Sequence, residues 1–245
     1  MKQLTVLRNN GTGTWEQAYR VEEGEGMTVM DALLEVQEGQ DPTLAFRYAC
    51  HWGVCGSCAM LINGVPRLAC RTKLDRAHEG PELAPMPGAA ESRGRQDIFL
   101  EPLPNFPVIR DLVVDMRPFF GTYRSVRPWF SPKEDGPGAE RTLSPERAGA
   151  IGRYAGCILC GACHGSCPEV AREPSFLGPA VLAKVYRFAE DPREGRRGER
   201  LRSCDGPEGW SRCRFYDNCR KVCPAEVAPD RAIGRAKAEL KRSGR

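Results

Sequence analysis

"CILCGACHGSCP", Cys157 to Pro168, decides how this chain is read, because "CRFYDNCRKVCP", Cys213 to Pro224, repeats its rhythm. Both stretches carry cysteine at offsets 0, 6 and 10 and proline at offset 11; at offset 3 the first has Cys160 and the second Tyr216. The first has the spacing C-x2-C-x2-C-x3-C-P, in which three thiolates hold one 4Fe-4S cluster and the fourth cysteine reaches across to another cluster. Such a run requires a second one, and the chain supplies it 56 residues on. By the crossing rule Cys157, Cys160, Cys163 and Cys223 hold the 4Fe-4S cluster, and Cys167, Cys213 and Cys219 serve the other. A fourth iron there would meet Tyr216, whose neutral phenol is a poor ligand beside a thiolate. The corner is expected to stay empty, giving 3Fe-4S; the alternative is a labile fourth iron on Asp217 or water. The dipeptide context Cys160-Gly-Ala-Cys163-His164 also fits the C-x-x-C-H haem attachment pattern. That reading strands Cys157 and Cys167 and needs export, so His164 is expected at a surface or facing another subunit.

A third group lies upstream. Cys50, Cys55, Cys58 and Cys70 follow C-x4-C-x2-C with a fourth cysteine after eleven intervening residues, the plant-type spacing for a 2Fe-2S cluster. The short loop "CHWGVCGSC" can surround two irons only by turning tightly, which Gly53 and Gly56 permit. The alternatives are a zinc site, plain buried cysteines, or a Rieske centre using His51; the last needs a second histidine, so His51 is read as a bystander. Cys204 fits no group and is read as an ordinary cysteine.

Composition agrees with metal ligation rather than disulfides. A chain of 245 residues can bury a core without covalent staples, yet it carries 12 cysteines, 11 of them in the three groups. "MKQLTVLRNN" does not resemble a leader, and no apolar run approaches the roughly 18 residues of a membrane span. A reducing, cytosol-facing location is expected, where clustered cysteines bind metal. The net charge of +4, from 36 basic and 32 acidic residues, argues neither for nor against nucleic acid. The basic stretches "REGRRGERLR" from Arg193 and "RAKAELKR" from Arg235 read as solvated faces.

The first third reads as a small α+β domain. Leu4 to Leu7, a turn at Asn9-Asn10-Gly11 and a strand near Tyr19 to Val21 predict a hairpin. Thr28 and Asp31 open a helix with Val29, Leu33 and Val36 on one face and Gly39 as its stop. "CAMLINGVPRLAC" predicts a second hairpin about Asn63-Gly64, setting Ile62 opposite Val65 and Met60 opposite Arg67, so that Cys58 and Cys70 end as neighbours. "PGAAESRGRQ" from Pro87 and "SPKEDGPGAERTLSPER" from Ser131 read as connections. "FPVIRDLVVDM", Phe106 to Met116, is read as the start of a helical second half. That half includes "GPAVLAKVYRFAED", with Pro179 in the first turn, Val181, Val185 and Phe188 on one face and Asp191-Pro192 as its end, and a last helix over about Asp230 to Lys241 carrying Ile233 and Leu240.

The order 2Fe-2S, 4Fe-4S, 3Fe-4S resembles the iron-sulfur subunit of succinate dehydrogenase and fumarate reductase. "CGSCAMLING", "FPVIRDLVVDM" followed by "YRSVRPWF", "CILCGACHGSCP", "FLGPAVLAKVYRFAED" and "CPAEVAP" are similar to segments of that family in the same order. The resemblance implies an N-terminal plant-type ferredoxin domain of β-grasp form, 1–108, and an all-α bacterial-ferredoxin-like domain, 109–245. It implies a partner flavoprotein carrying FAD and the dicarboxylate site, a membrane anchor with or without haem b, a quinone beside the 3Fe-4S cluster, and no nucleic acid. The chain would lie peripherally on the cytoplasmic face of a prokaryotic membrane and hold no catalytic residue of its own. Many ubiquinone-using relatives have two tryptophans where this chain has Ala171-Arg172, and histidine where it has Arg214. Pro168, Arg172, Arg214 and Tyr216 are therefore the quinone-site candidates, pointing to a menaquinone-type partner. The other readings are a subunit of another flavoprotein reductase, such as a thiol-linked fumarate reductase, and a zinc-binding structural module.

Overall fold

The computed structural model describes residues 1–86, 97–133 and 140–244. The connection expected at 87–96 lies outside the described residues, as do positions 134–139 of the one from Ser131. The chain forms two compact units: Met1–Met116 together with Ile158–Ser166, and Arg117–Cys157 together with Cys167–Arg245. The boundary expected after residue 108 falls inside the first unit, and the first cysteine run is divided between the two.

In the first unit, β1 (Lys2–Asn9) and β2 (Thr14–Val21) form the expected antiparallel hairpin. Side-chain carbonyls of Asn9 and Asn10 accept from the N–H groups of Gly11, Thr12 and Gly13, holding the turn. Helix α1 (Val29–Gly39) starts at a reciprocal capping box. The Asp31 N–H donates to the Thr28 hydroxyl, and the Thr28 N–H donates to the Asp31 carboxylate at 2.8 Å. Val29, Leu33 and Val36 are buried, and Gly39 is the last helical residue. Strands β3 (Ala59–Ile62) and β4 (Val65–Leu68) pair about Asn63 and Gly64, both at positive φ as a tight two-residue hairpin turn demands. Ile62 faces Val65 and Met60 faces Arg67. Strand β5 (Asp97–Glu101) runs parallel to β1 and antiparallel to β3, completing a mixed sheet of order β2-β1-β5-β3-β4. Leu4, Val6, Ile62, Ile98 and Leu100 are fully buried and supply its core.

"FPVIRDLVVDM" does not begin a helix. It forms two short antiparallel strands, β6 (Val108–Arg110) and β7 (Val113–Val114). The β-branched residues on either side favour extended backbone, and Asp111 between them has φ +45, outside the right-handed helical region. Asp111 is pinned there: its buried carboxylate accepts from the N–H groups of Asn9 and Ala45 and from Arg8 Nε at 2.9 Å.

Helices follow: α2 (Arg117–Ser125), α3 (Pro145–Ala155), α4 (Ala162–Gly165), α5 (Pro168–Arg172), α6 (Gly178–Glu190), α7 (Arg197–Ser203), α8 (Asn218–Lys221) and α9 (Pro229–Arg242). All but α4 belong to the second unit. There α6 packs against α3, α7 and α9. It has Pro179 in its first turn, buries Val181, Val185 and Phe188, and ends at Asp191 as expected. The core around it contains Tyr154, Leu182, Tyr186, Trp210 and Ile233, with Leu240 from α9. The stretch from Arg193 is not wholly a solvated face. Arg200 is buried, paired with Glu194 at 3.0 Å and donating to the carbonyls of Arg127 and Trp129. A buried guanidinium persists only where such partners surround it. Among the described residues, no helix is long and apolar enough to cross a membrane.

Candidate functional site: three groups of cysteines

The loop of the first unit from Cys50 to Cys58 turns through three positive-φ residues, His51 (+55), Gly53 (+75) and Gly56 (+74). The turning aims the N–H groups of Trp52, Val54 and Cys55 at Cys50 Sγ, each at 3.4 Å. These amides, Trp52's foremost, lower the Cys50 thiol to about 6, favouring the thiolate that an iron requires. Cys55 Sγ lies 2.9 Å from the Ser57 hydroxyl. The β3–β4 hairpin returns Cys70 to within 3.4 Å of Cys58, sulfur to sulfur, as its register foretold. Burial pushes the Cys58 thiol up to about 12, so that metal must displace its proton. A side chain on Gly56 would stand 2.8 Å from Cys160 Cβ, so only glycine fits there. His51 packs edge-on against Tyr48.

The two later runs share one backbone as well as one spacing. Positive φ occurs at offset 2 in both, Leu159 (+54) and Phe215 (+58), and at offset 4 in both, Gly161 (+82) and Asp217 (+58). A four-residue helix then starts at offset 5 in each, α4 and α8, placing Cys163 and Cys219 as buried residues on corresponding turns. Cys160 and Cys163 belong to the first unit, Cys157 and Cys223 to the second. The Val227 N–H donates to Cys223 Sγ at 3.3 Å. His164 is half-buried: its ring lies 4.9 Å from that of Phe106, and desolvation lowers its pKa to about 4.

Within the second unit, Cys167, Cys213 and Cys219 line one cavity together with Tyr216 and Asp217. These are the three thiols that the sequence grouped, with the tyrosine that stands where a fourth cysteine would and the aspartate that was the alternative holder of a fourth iron. Burial raises the pKa of all three thiols, so each is held protonated until a metal replaces the proton. Pro168 and Arg214 line the same cavity. Arg172 reaches it through Tyr216, donating from Nη1 to the phenol oxygen at 2.6 Å. Cys204 is buried with Trp210 in the core cluster and is not among the cavity's lining residues.

Sequence reasoning missed Glu169. It follows Pro168 on α5, lines the cavity, and has a side chain only 2% exposed. Its carboxylate accepts from Arg172 at 2.8 Å and is faced by Arg212 Nε at 2.9 Å and Arg214 Nε at 3.6 Å. A glutamate directly after C-P, with Arg172 three residues on, was visible in the sequence, but nothing there announced its burial.

The residues fit iron-sulfur clusters: sulfurs accept backbone amides, glycine stands where the loop must approach other backbone, and three cysteines share a cavity. Residues 3–121 match the family model for a 2Fe-2S iron-sulfur cluster binding domain, and residues 153–227 match that for a 4Fe-4S dicluster domain. The chain is 32% identical over 246 residues to a fumarate reductase iron-sulfur subunit of Escherichia coli, covering 96% of this chain and 91% of that one. It is 37% identical over 226 residues to the fumarate reductase iron-sulfur subunit of Mycobacterium tuberculosis, covering 90% and 84%. Among solved structures, a chain of the Mycobacterium smegmatis Sdh1 complex in the apo form superposes with a TM-score of 0.84 at 28% identity, covering 99% of this chain and 96% of that chain. The chain therefore belongs to the family of iron-sulfur subunits of fumarate reductase and succinate dehydrogenase.

Proposed function

We propose that this chain carries electrons between the FAD of a flavoprotein subunit and a membrane quinone, within a succinate:quinone oxidoreductase working in either direction. The clusters, when bound, supply one-electron transfer that no side chain here can perform. The protein's part is to hold them, exclude water and set their potentials through burial and hydrogen bonds to sulfur. Cys50, Cys55, Cys58 and Cys70 hold 2Fe-2S on a β-grasp sheet. Cys157, Cys160, Cys163 and Cys223 hold 4Fe-4S, and Cys167, Cys213 and Cys219 hold 3Fe-4S on an all-α ferredoxin-like domain. Dicarboxylate chemistry stays with the flavoprotein, and the chain sits peripherally, on the cytoplasmic face, against an anchor of unspecified haem content. The quinone, of menaquinone type, meets the chain near Pro168, Arg172, Arg214 and Tyr216.

The single observation that carries this reading is the cavity shared by Cys167, Cys213, Cys219 and Tyr216. Three thiols and one phenol are a donor set for three irons. Electron paramagnetic resonance on the oxidised complex tests it, and a near-isotropic three-iron signal is expected. Four irons at that site with no such signal would sink the three-iron assignment. Purification with a flavoprotein and an anchor, and reduction of the clusters by succinate, test the partners; a colourless zinc protein would end the electron-transfer reading altogether.

A further inference from the structure

Glu169 is a buried carboxylate beside the three-cysteine cavity that faces three guanidiniums. Its Oε1 accepts from Arg172 Nη1 and lies 3.6 Å from Arg214 Nε. Its Oε2 lies 2.9 Å from Arg212 Nε, yet the pair lacks hydrogen-bond alignment, leaving both atoms buried and incompletely satisfied. The arginines are arranged oppositely to the glutamate: side-chain exposure is 53% for Arg172 and 70% for Arg214. Glu169 is thus a buried peg and the arginines are exposed heads tied to it. Arg172 turns the arrangement toward the cavity, since the Nη1 that holds Glu169 also donates to Tyr216. Phe215, half exposed on the same loop, packs under Lys237, which adds another positive charge nearby.

Glu169 offsets only one of the three guanidinium charges, and Asp217 and Asp230, which also line the cavity, are paired with Arg220, so the mouth of the cavity keeps a positive excess. Without the carboxylate, three guanidiniums within a few ångströms would repel one another and swing into solvent. An oriented set of donors is what stabilises a carbonyl oxygen that gains negative charge as it is reduced, because the donors need not reorganise when the charge arrives. We propose that Glu169 is a positioning residue that fixes Arg172 and Arg214, with Tyr216, as an electropositive, carbonyl-binding rim over the three-cysteine cavity. The rim takes the carbonyl oxygen of a quinone; this rests on the electron-transfer reading above. Glu169 itself touches no substrate and acts through the guanidiniums.

The test uses the assembled complex with Glu169→Gln, which keeps the shape and removes the charge. With a short-chain naphthoquinone as the probe, KM is expected to rise by about tenfold, equivalent to about 1.4 kcal/mol of lost binding, with a smaller change in kcat. The midpoint potential of the near-isotropic signal is expected to move upward, because a negative charge beside the cavity is gone. Glu169→Asp should recover part of both effects. Arg172→Gln, on an exposed side chain, should raise KM similarly, and combining it with Glu169→Gln should add little. Should Glu169→Gln fail to assemble, Arg172→Gln and Arg214→Gln decide the matter, and wild-type KM in both overturns the proposal. Wild-type KM and potential in a fully loaded Glu169→Gln complex overturn it as well. Absence of the near-isotropic signal from the wild-type complex is a separate result: it sinks the three-iron assignment, while the KM comparison still judges Glu169.

Discussion

Arg172 donates a 2.6 Å hydrogen bond to the hydroxyl of Tyr216, 44 residues away in sequence. The guanidinium also lies over the Tyr216 ring, 5.5 Å from its centroid. The position at which the second run lacks a cysteine is thus occupied by a phenol already engaged by an arginine, which makes it still less available to iron. Tyr216→Cys should release Arg172 and supply a fourth thiolate. The near-isotropic signal should then give way to that of a four-iron cluster, and quinone reduction should slow; an unchanged spectrum would mean that the two runs are wrongly aligned.

Gly56 combines a left-handed backbone with a space that a methyl group cannot enter, since Cys160 already fills it. Gly56→Ala should cost about 1–3 kcal/mol for the backbone conformation alone, more once the contact is forced. A lower melting temperature and a weakened 2Fe-2S signal after reduction are the expected readouts.

Asp111 holds Arg8 where both are buried, 3% and 1% exposed. Asp111→Ala leaves a guanidinium without its closest buried counter-charge and frees the backbone N–H groups of Asn9 and Ala45. Breaking such a pair costs about 3–5 kcal/mol, so the variant should unfold at markedly lower denaturant. Near-wild-type stability would show that Gln17, Tyr19, Asp41 and Thr43, which also accept from Arg8, suffice.

Asp191 at the end of α6 accepts from the Arg193 guanidinium at 2.9 and 2.8 Å, and this pairing holds its carboxyl below the usual range. A depressed folded-state pKa means that the ionised form stabilises the fold above the unfolded value of about 3.9, and that the contribution disappears as pH falls through the lower folded value. The melting temperatures of wild type and Asp191→Asn should therefore differ most near neutral pH and converge as pH falls through the lowered folded-state value. A gap independent of pH would assign the loss to shape rather than charge.

Cys204 lies in the apolar core rather than on the cavity. Cys204→Ala should keep the full complement of iron and acid-labile sulfide and lose only a little stability. Any fall in iron content would make it a ligand.

What the sequence made legible was whatever depends on neighbours along the chain. The capping box at Thr28, the turn at Asn63-Gly64 and the face of Val181, Val185 and Phe188 are local patterns, and the fold keeps them. The shared rhythm of the two runs went further, because identical spacing imposed the same positive-φ pattern on both. The misreadings share a cause. Phe106 to Met116 has apolar spacing that suits a helix or a strand, and the choice was made by Asp111 bonding to Asn9 and Arg8, about a hundred residues earlier. Arg200 read as a solvated charge, and Glu169 was missed, because the partners that bury them are assembled only by folding.

Ile158–Ser166 counts structurally with the N-terminal unit, although Cys157 before it and Cys167 after it do not. Within that unit, Asn105 donates to the carbonyls of His164 and Gly165, Phe106 lies against Gly161, and Cys160 occupies the space beside Gly56. A gene truncated after Met116 would encode all the strands of the sheet and still yield an unfinished protein. The N-terminal unit is consequently no contiguous cassette: a transplant of it has to carry Ile158–Ser166 from later in the chain as well.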